Sequence, residues 1–441
     1  MLSSVDIKQI KERAAELVEK IKTTFVNQNG LLSSTYPPSE HNLLAHFDDY
    51  VPFLLYFNEV DFVRSQILAS IKFTYDGLIP QGRLILSDRN DEYLGALLAY
   101  YRHTNEPFVY ELIVKALEGI RHLLIRKGFL CSYHDIKRGK TPLITSPRTG
   151  CLLEVLLQVD NISPRMSEDA LTILDNWLQI PFFNKYGLFP SKYYLSSRIL
   201  NAIFERSRLP MSRIVKLASQ PSLLYQLPMG TKVQVMKDNT NFIFALMAAY
   251  TKTSNRTYKN VIIRWVDGIM TNLFRDGFIF KFWSPQGDPE VIELTQNFAV
   301  VDILCDIYWF INRYKRFLEF AEKIASSWIK LRWDNGLFPR FPGAKHNHLD
   351  EQTDFCISLM RLYELTGKRK YRAIAEETIS SVLEYHHTHE GYVLSVNDQG
   401  KVVDGTIAPK YNALLLKALI LLIDDRNIYT SESIHDLMED R

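Results

Sequence analysis

RWDNGLFPRF (residues 332–341) ends a helix-friendly run with Asp334-Asn335-Gly336 and then turns apolar and aromatic. Relatives of this stretch occur along the chain: NQNGLL (27–32), TYDGLIP (74–80), IRKGFL (125–130), NKYGLFP (184–190), FRDGFIF (274–280) and THEGYVL (388–394). Each glycine follows a helical pattern and precedes two apolar residues. Glycine suits the left-handed position just past a helix end, where the next apolar side chain packs back on the last turn, so the motif predicts seven helix terminations.

The segments before the turns are amphipathic. In RTYKNVIIRWVDGIMTNLF (256–274) and KRKYRAIAEETISSVLEYH (368–386) apolar residues return every three or four positions and charges fill the other face. The segments after the turns are apolar nearly all round, as in YLGALLAYY (93–101), CLLEVLLQV (151–159), NFIFALMAAY (241–250), NFAVVDILCDIYWF (297–310), DFCISLMRLY (354–363) and NALLLKALILLI (412–423). Alternation of half-exposed and fully buried helices predicts an all-α chain closed into an (α/α) barrel, or toroid, of about seven helical hairpins. The buried helices form its inner ring and the amphipathic ones its outer ring. An open solenoid is the rival, but solenoid helices each keep a solvent face. The expected organisation is one domain over 1–425, with an insertion at about 191–236 and a tail at 426–441.

Composition narrows the function classes. Lysine plus arginine (52) nearly balances aspartate plus glutamate (50), without a basic stripe, which argues against a nucleic-acid partner. Cys131, Cys151, Cys305 and Cys356 show no CxxC spacing and read as reduced core residues. The N-terminal segment is an amphipathic helix with charges throughout, and the apolar run at 413–423 is too short to span a bilayer. No membrane partner and a cytoplasmic location are expected. No dinucleotide, P-loop or G-x-S-x-G motif occurs, and no cofactor is expected.

Links from apolar to amphipathic helix are short, whereas those from amphipathic to apolar helix are long: 78–90, 129–147, 188–237, 278–294, 337–349 and 392–408. Long loops on a rigid scaffold are where binding and catalysis concentrate. In a ring, these loops and the apolar helix N-termini share one rim. Asp, Asn, Ser and Thr at the helix starts serve as N-caps. A cap needs one acceptor, however, and Asp91 with Glu92, and Asp350 with Glu351 and Asp354, supply a surplus. Paired carboxylates at a mouth are the equipment of glycoside hydrolysis, one acting as acid and the other as base or nucleophile. Asp91 or Glu92 facing Asp350, Glu351 or Asp354 is the expected catalytic pair. His41, Arg148, Asp238, Asn241, Trp283, Asn297 and Tyr411 are the expected substrate-binding residues, with Trp283 as an exposed platform for a sugar ring. His346 and His348 have no evident third ligand, so no metal is expected, and His386, His387 and His389 read as cations at a helix C-terminus.

The link LTGKRKYRAIAEE (365–377) and the turn DNGLFP (334–339) resemble those of the six- and seven-hairpin glycosidase superfamily. Seven hairpins in this order are similar to the α-mannosidases that process N-glycans, and six to the N-acylglucosamine 2-epimerases and unsaturated uronyl hydrolases. The resemblance implies a carbohydrate-active enzyme. Three readings stay open: a glycoside hydrolase, a sugar isomerase or epimerase using histidines such as His41, His46, His134 or His348, and a non-catalytic helical scaffold or sugar-binding module. The oligomeric state is left open.

Overall fold

Gly336 lies in the left-handed region at φ 86°, and two residues later the peptide of Phe338 is gripped by a side-chain amide. Its N–H donates to Gln352 Oε1 at 2.7 Å and its carbonyl accepts from Gln352 Nε2 at 3.0 Å. The same clamp recurs. Asn90 grips Ile79 (2.7 and 3.1 Å), Asn239 grips Phe189 (2.9 and 2.9 Å), Asn297 grips Ile279 (2.7 and 3.0 Å) and Asn412 grips Tyr392 (2.8 and 3.0 Å). Gln66 does the same for Leu32 N–H and Gly30 carbonyl at 2.9 and 2.7 Å. The repeated sequence motif is therefore one half of a lock whose other half is an amide on a following helix.

These coordinates are a computed structural model, which describes residues 7–38, 46–206, 232–424 and 427–429. Helices dominate, and two compact units form: Phe73–Leu94 with Glu106–Tyr314, and Met1–Lys72 with Gly95–Asn105 and Lys315–Arg441. The expected insertion is described only outside 207–231, and the expected tail only at 427–429.

In the first unit, helix Thr240–Thr253 packs on helices Gly150–Leu156, Arg256–Asn272 and Leu294–Asp306. The last of these buries twelve residues running from Leu294 to Asp306, which matches its unbroken apolar pattern. With the π turn that follows, it forms an 18-residue stretch, Leu294–Ile311, apolar and long enough to cross a membrane, longer than the run at 413–423. Of its residues 78% are buried within the protein, as in a core helix. In the second unit, helix Leu349–Thr366 packs on Arg369–Tyr385 and Pro409–Ile423, and Pro409–Ile423 packs on Ile7–Thr23. Arg369–Tyr385 buries Tyr371, Ala375, Thr378, Ile379, Val382 and Leu383, the three- and four-residue spacing of an amphipathic face. All four cysteines are buried and free of disulfides.

The glycine turns differ from the expectation in one respect. Gly187 does end helix Pro181–Tyr186, at φ 69°. Asp76-Gly77, Lys127-Gly128 and Asp276-Gly277 instead close tight two-residue hairpins, with both residues at positive φ (52° and 79°, 51° and 71°, 53° and 90°). That is the φ pattern of a type I′ turn, for which Asp-Gly is a strong local signal. The helices end a few residues earlier, and the long links hold short antiparallel ladders instead of plain loop. Leu84–Leu86 pairs with Pro80–Gln81 and Tyr133–Asp135, Phe278–Trp283 with Glu290–Ile292, and Val393–Val396 with Val402–Ile407. Gly77 is also fixed by packing, since a Cβ there would lie 2.7 Å from the Lys115 carbonyl carbon.

The expected N-caps are corrected as well. Helices Leu294–Asp306, Leu349–Thr366 and Pro409–Ile423 start without any side-chain cap bond. Their amides instead reach across to the glycine turns. Asn297 is fully buried and its amide also donates to Glu293 O at 2.8 Å, so nothing of it is left for a substrate. Replacing Asn297 by Ala strands the Ile279 N–H and carbonyl without partners. Urea unfolding is expected to show a loss of roughly 3 kcal/mol or more. A change below about 1 kcal/mol means that water or a neighbour satisfies both groups and the clamp is dispensable.

Candidate active site

The start of helix Ser87–Thr104 carries the first acid cluster. Strand Leu84–Leu86 delivers the chain to Ser87, whose N–H and hydroxyl both bond Ser132 O at 3.1 Å. Asn90 is spent on the clamp, which also uses Leu86 O at 2.8 Å. This anchors the turn and so places Asp88, Asp91 and Glu92. Arg148 bridges two carboxylates, with Nε 2.9 Å from Asp238 and Nη1 3.6 Å from Asp88. Its own backbone N–H is held by the Ser146 hydroxyl at 3.3 Å.

Asp91 is 7% exposed, and burial, reinforced by the neighbouring Glu92 carboxylate, lifts its pKa to about 7 against the opposing Cys151 hydrogen bond. Burial also raises Asp238, opposed by Arg148 and Ser191. Glu92 has a cation at hand, Arg89 Nη1 at 2.9 Å. One acid is thus raised toward neutrality beside another that is ion-paired, an arrangement in which neighbouring carboxyl groups can serve as acid and base. The buried Lys192 joins this cluster: burial, then the Arg148 charge, lower it to about 7, against the opposing Asp238. Reasoning from sequence missed Lys192, although a lone lysine in the aromatic stretch GLFPSKYY (187–194) was a signal of burial.

The second cluster belongs to the other unit. His348 Nδ1 hydrogen-bonds Asp350, which also accepts the Glu351 N–H at 2.9 Å. The Tyr411 ring meets the His348 ring edge-on at 5.3 Å, and burial, then the Asp350 charge, push the Tyr411 hydroxyl up to about 12. Glu351 is 2% exposed, with Arg340 Nε 3.6 Å away. Lys410 Nζ lies 2.8 Å from Asp49 and 3.1 Å from His46 Nδ1. Asp354, half-buried, sits one turn further along the helix, where its backbone carbonyl accepts the Ser358 hydroxyl. Arg340 and Lys410 are further residues that pattern reasoning passed over, because ordinary surface cations look the same in sequence.

Other expected site residues are placed differently. Trp283 is not an exposed platform: it is 8% exposed, ends strand Phe278–Trp283 opposite Val233, and packs edge-on against Tyr186 at 5.3 Å. Asn241 is half-buried, and its backbone carbonyl lies 2.5 Å from where a Cβ on Gly150 would sit, so this contact is backbone packing. His41 lies outside the described residues. His386 is no C-terminal cation: it is fully buried between Val393 O (2.8 Å) and Asn347 (2.9 Å), and burial lowers it to about 4, leaving it neutral.

No protein-family model matches the chain, and no curated protein matches its sequence. Solved structures match it extensively in fold. An α-1,2-mannosidase from Trichoderma reesei superposes with a TM-score of 0.66 over 95% of this chain and 92% of its own, at 14% identity. A cellobiose 2-epimerase from Bacillus thermoamylovorans B4167 gives 0.61 over 94% and 98%, at 12% identity. A D-mannose isomerase gives 0.59 over 96% and 100%, at 11% identity. The chain therefore has the (α/α) toroid fold that these solved structures share.

The raised Asp91 has a consequence for stability. Between the ordinary aspartate value of 3.8 and about 7 the folded chain holds this proton while the unfolded chain releases it, so stability falls as pH rises through that window. Asp91→Asn removes the penalty. Urea midpoints are expected to show the variant gaining on the wild type by a few kcal/mol between pH 4 and pH 8. Parallel pH profiles for the two proteins mean that Asp91 is ionised in the fold.

Proposed function

We propose that this chain is a carbohydrate-active enzyme, and that it is a glycoside hydrolase with Asp91 as its general acid. The observation that carries the reading is the different surroundings of two neighbouring carboxyl groups: Asp91, buried and raised toward neutrality, and Glu92, paired with Arg89. A glycosidic oxygen leaves as an alcohol only if an acid protonates it, and an acid with pKa near 7 is matched to that step at neutral pH. Asp350, Glu351 and Asp354 are proposed as the acidic groups through which the other unit takes part in the sugar chemistry. Arg148 and Asp238 are proposed to orient sugar hydroxyls beside the acid, and Tyr411 to do so beside His348. Fold likeness to a mannosidase and to sugar epimerases supports a sugar substrate. The likeness runs over more than nine-tenths of the chain, which supports residues 1–425 acting as one domain. Four buried free thiols suit the proposed cytoplasmic location.

A sugar isomerase or epimerase is the second reading, favoured by His348. With Nδ1 bonded to Asp350, its Nε2 is the nitrogen left to take a proton, the geometry of an oriented base.

A panel of α- and β-linked glycosides, together with free mannose and cellobiose, separates the two. Hydrolysis that falls about 10²-fold or more in Asp91→Asn, with an alkaline limb near pH 7 in the wild type, is expected. Interconversion of free sugars lost in His348→Gln but kept in Asp91→Asn reassigns the enzyme to the second class. A chain that turns over nothing in the panel, or hydrolyses glycosides equally well without Asp91, defeats the hydrolase reading.

A further inference from the structure

Residues 121–140 carry six lysines and arginines against a single acid, Asp135, in a chain whose formal net charge is only +2. The fold draws part of this excess around a pocket of about 390 Å³ lined by Arg126, Tyr133, Asp135, Arg138, Lys140 and Thr141. We propose that this pocket binds a small anion bearing a phosphate group, with Arg126, Arg138 and Lys140 supplying the counter-charge.

The pocket is built from two ladders and a closed turn. Ile125–Arg126 pairs with Phe129–Leu130, and Tyr133–Asp135 pairs with Leu84–Leu86. The tip 136–140 folds back through Lys140 N–H to Asp135 O (3.3 Å) and Asp135 N–H to Lys140 O (2.9 Å), with Gly139 at φ 58°. Thr141 ties the return to the core: its hydroxyl donates to Leu123 O at 2.5 Å and meets His134 Nδ1 at 2.9 Å.

The charges there are held but not neutralised. Arg126 donates from Nη1 to Ile125 O and from Nη2 to His122 O, both at 2.7 Å. Those bonds fix the guanidinium in place and leave three of its five N–H groups for a ligand. Neither Arg126 nor Lys140 has a carboxylate partner among the described residues. Asp135, 5% exposed at its side chain, is the only acid lining the pocket, and it is shared between Arg83 Nε at 3.5 Å and Arg138 Nε at 3.8 Å. Three cations against one carboxylate leave a local charge of about +2, which a phosphate dianion would cancel with charge-assisted hydrogen bonds. The Arg126 charge also reaches His134, which burial in the first place and this cation in the second hold below its ordinary range. The volume exceeds that of bare phosphate and falls in the size range of sites for small organic ligands, which leaves room for a sugar attached to the phosphate.

Calorimetric titration of the full chain at low ionic strength, with inorganic phosphate, a hexose 6-phosphate and the neutral hexose, tests the proposal. Both phosphate-bearing ligands are expected to bind and the neutral hexose is not. Lys140→Gln and Arg126→Gln are each expected to weaken binding about tenfold, and about 0.5 M NaCl to weaken it further. A hexose 6-phosphate bound more tightly than phosphate identifies the sugar phosphate as the ligand, and equal affinities identify the free ion. Lys140 is exposed, so its variant is expected to keep the wild-type circular dichroism even if Arg126→Gln disturbs the turn. Binding should also survive Asp91→Asn, which makes it independent of the sugar chemistry proposed above. The pocket is not an anion site if no heat is seen up to about 10 mM phosphate, if the neutral hexose binds equally well, or if Lys140→Gln binds as the wild type does.

Discussion

A side-chain amide that grips the peptide just past a glycine turn is the interaction on which this structure depends. An amide offers a donor and an acceptor side by side, which is what one exposed peptide N–H and C=O require. Asn90, Asn239, Asn297, Gln352 and Asn412 each make that pair of bonds from fully buried positions. Leaving one such peptide unpaired inside the protein would cost more than the bond is worth, because a buried polar group without a partner bears its whole desolvation penalty. The clamp therefore sets where each apolar helix begins relative to the turn before it, and the short ladders between the two are what the remaining chain can form.

That anchoring is also what makes the acid chemistry possible. Asp91 follows immediately on Asn90, so the same helical turn that locks the backbone carries the carboxyl group into a buried place beside Glu92 and Cys151. A mobile loop would let water reach Asp91 and return it to an ordinary carboxylate. Asp88, Arg148 and Asp238 form a bridge of alternating charge, and the buried Lys192 comes under the same field. In the other unit Asp350 does a comparable job for His348, fixing which imidazole nitrogen bears the proton.

Several features were legible without coordinates. The repeated glycine segment, the alternation of amphipathic with all-apolar helices, the all-α class and its (α/α) ring follow from hydrophobic periodicity, and the acids Asp91 and Glu92 stood out as more than a cap requires. The amide clamp was half visible, since Asn297 stood at the right place in the chain, but it read as a substrate contact. Trp283 misled because its neighbours are polar in sequence, while the strand that carries it turns the ring onto Tyr186. His386 misled because a helix end favours a cation on average, whereas here two hydrogen bonds and complete burial leave it neutral.

What the amino-acid order determined by itself is everything with a short period: which helices bury one face and which bury all, and where left-handed residues must fall. These are properties of a residue and of neighbours a few positions away, so composition and spacing suffice to state them. What only the tertiary structure decided is which polar side chain meets which partner: Asn297 with Ile279 and Arg148 with Asp238. Those pairings join residues whose separation in the chain carries no signal. Protonation follows from them too, because burial and neighbouring charge, not residue type, place a carboxyl group or an amine near neutrality.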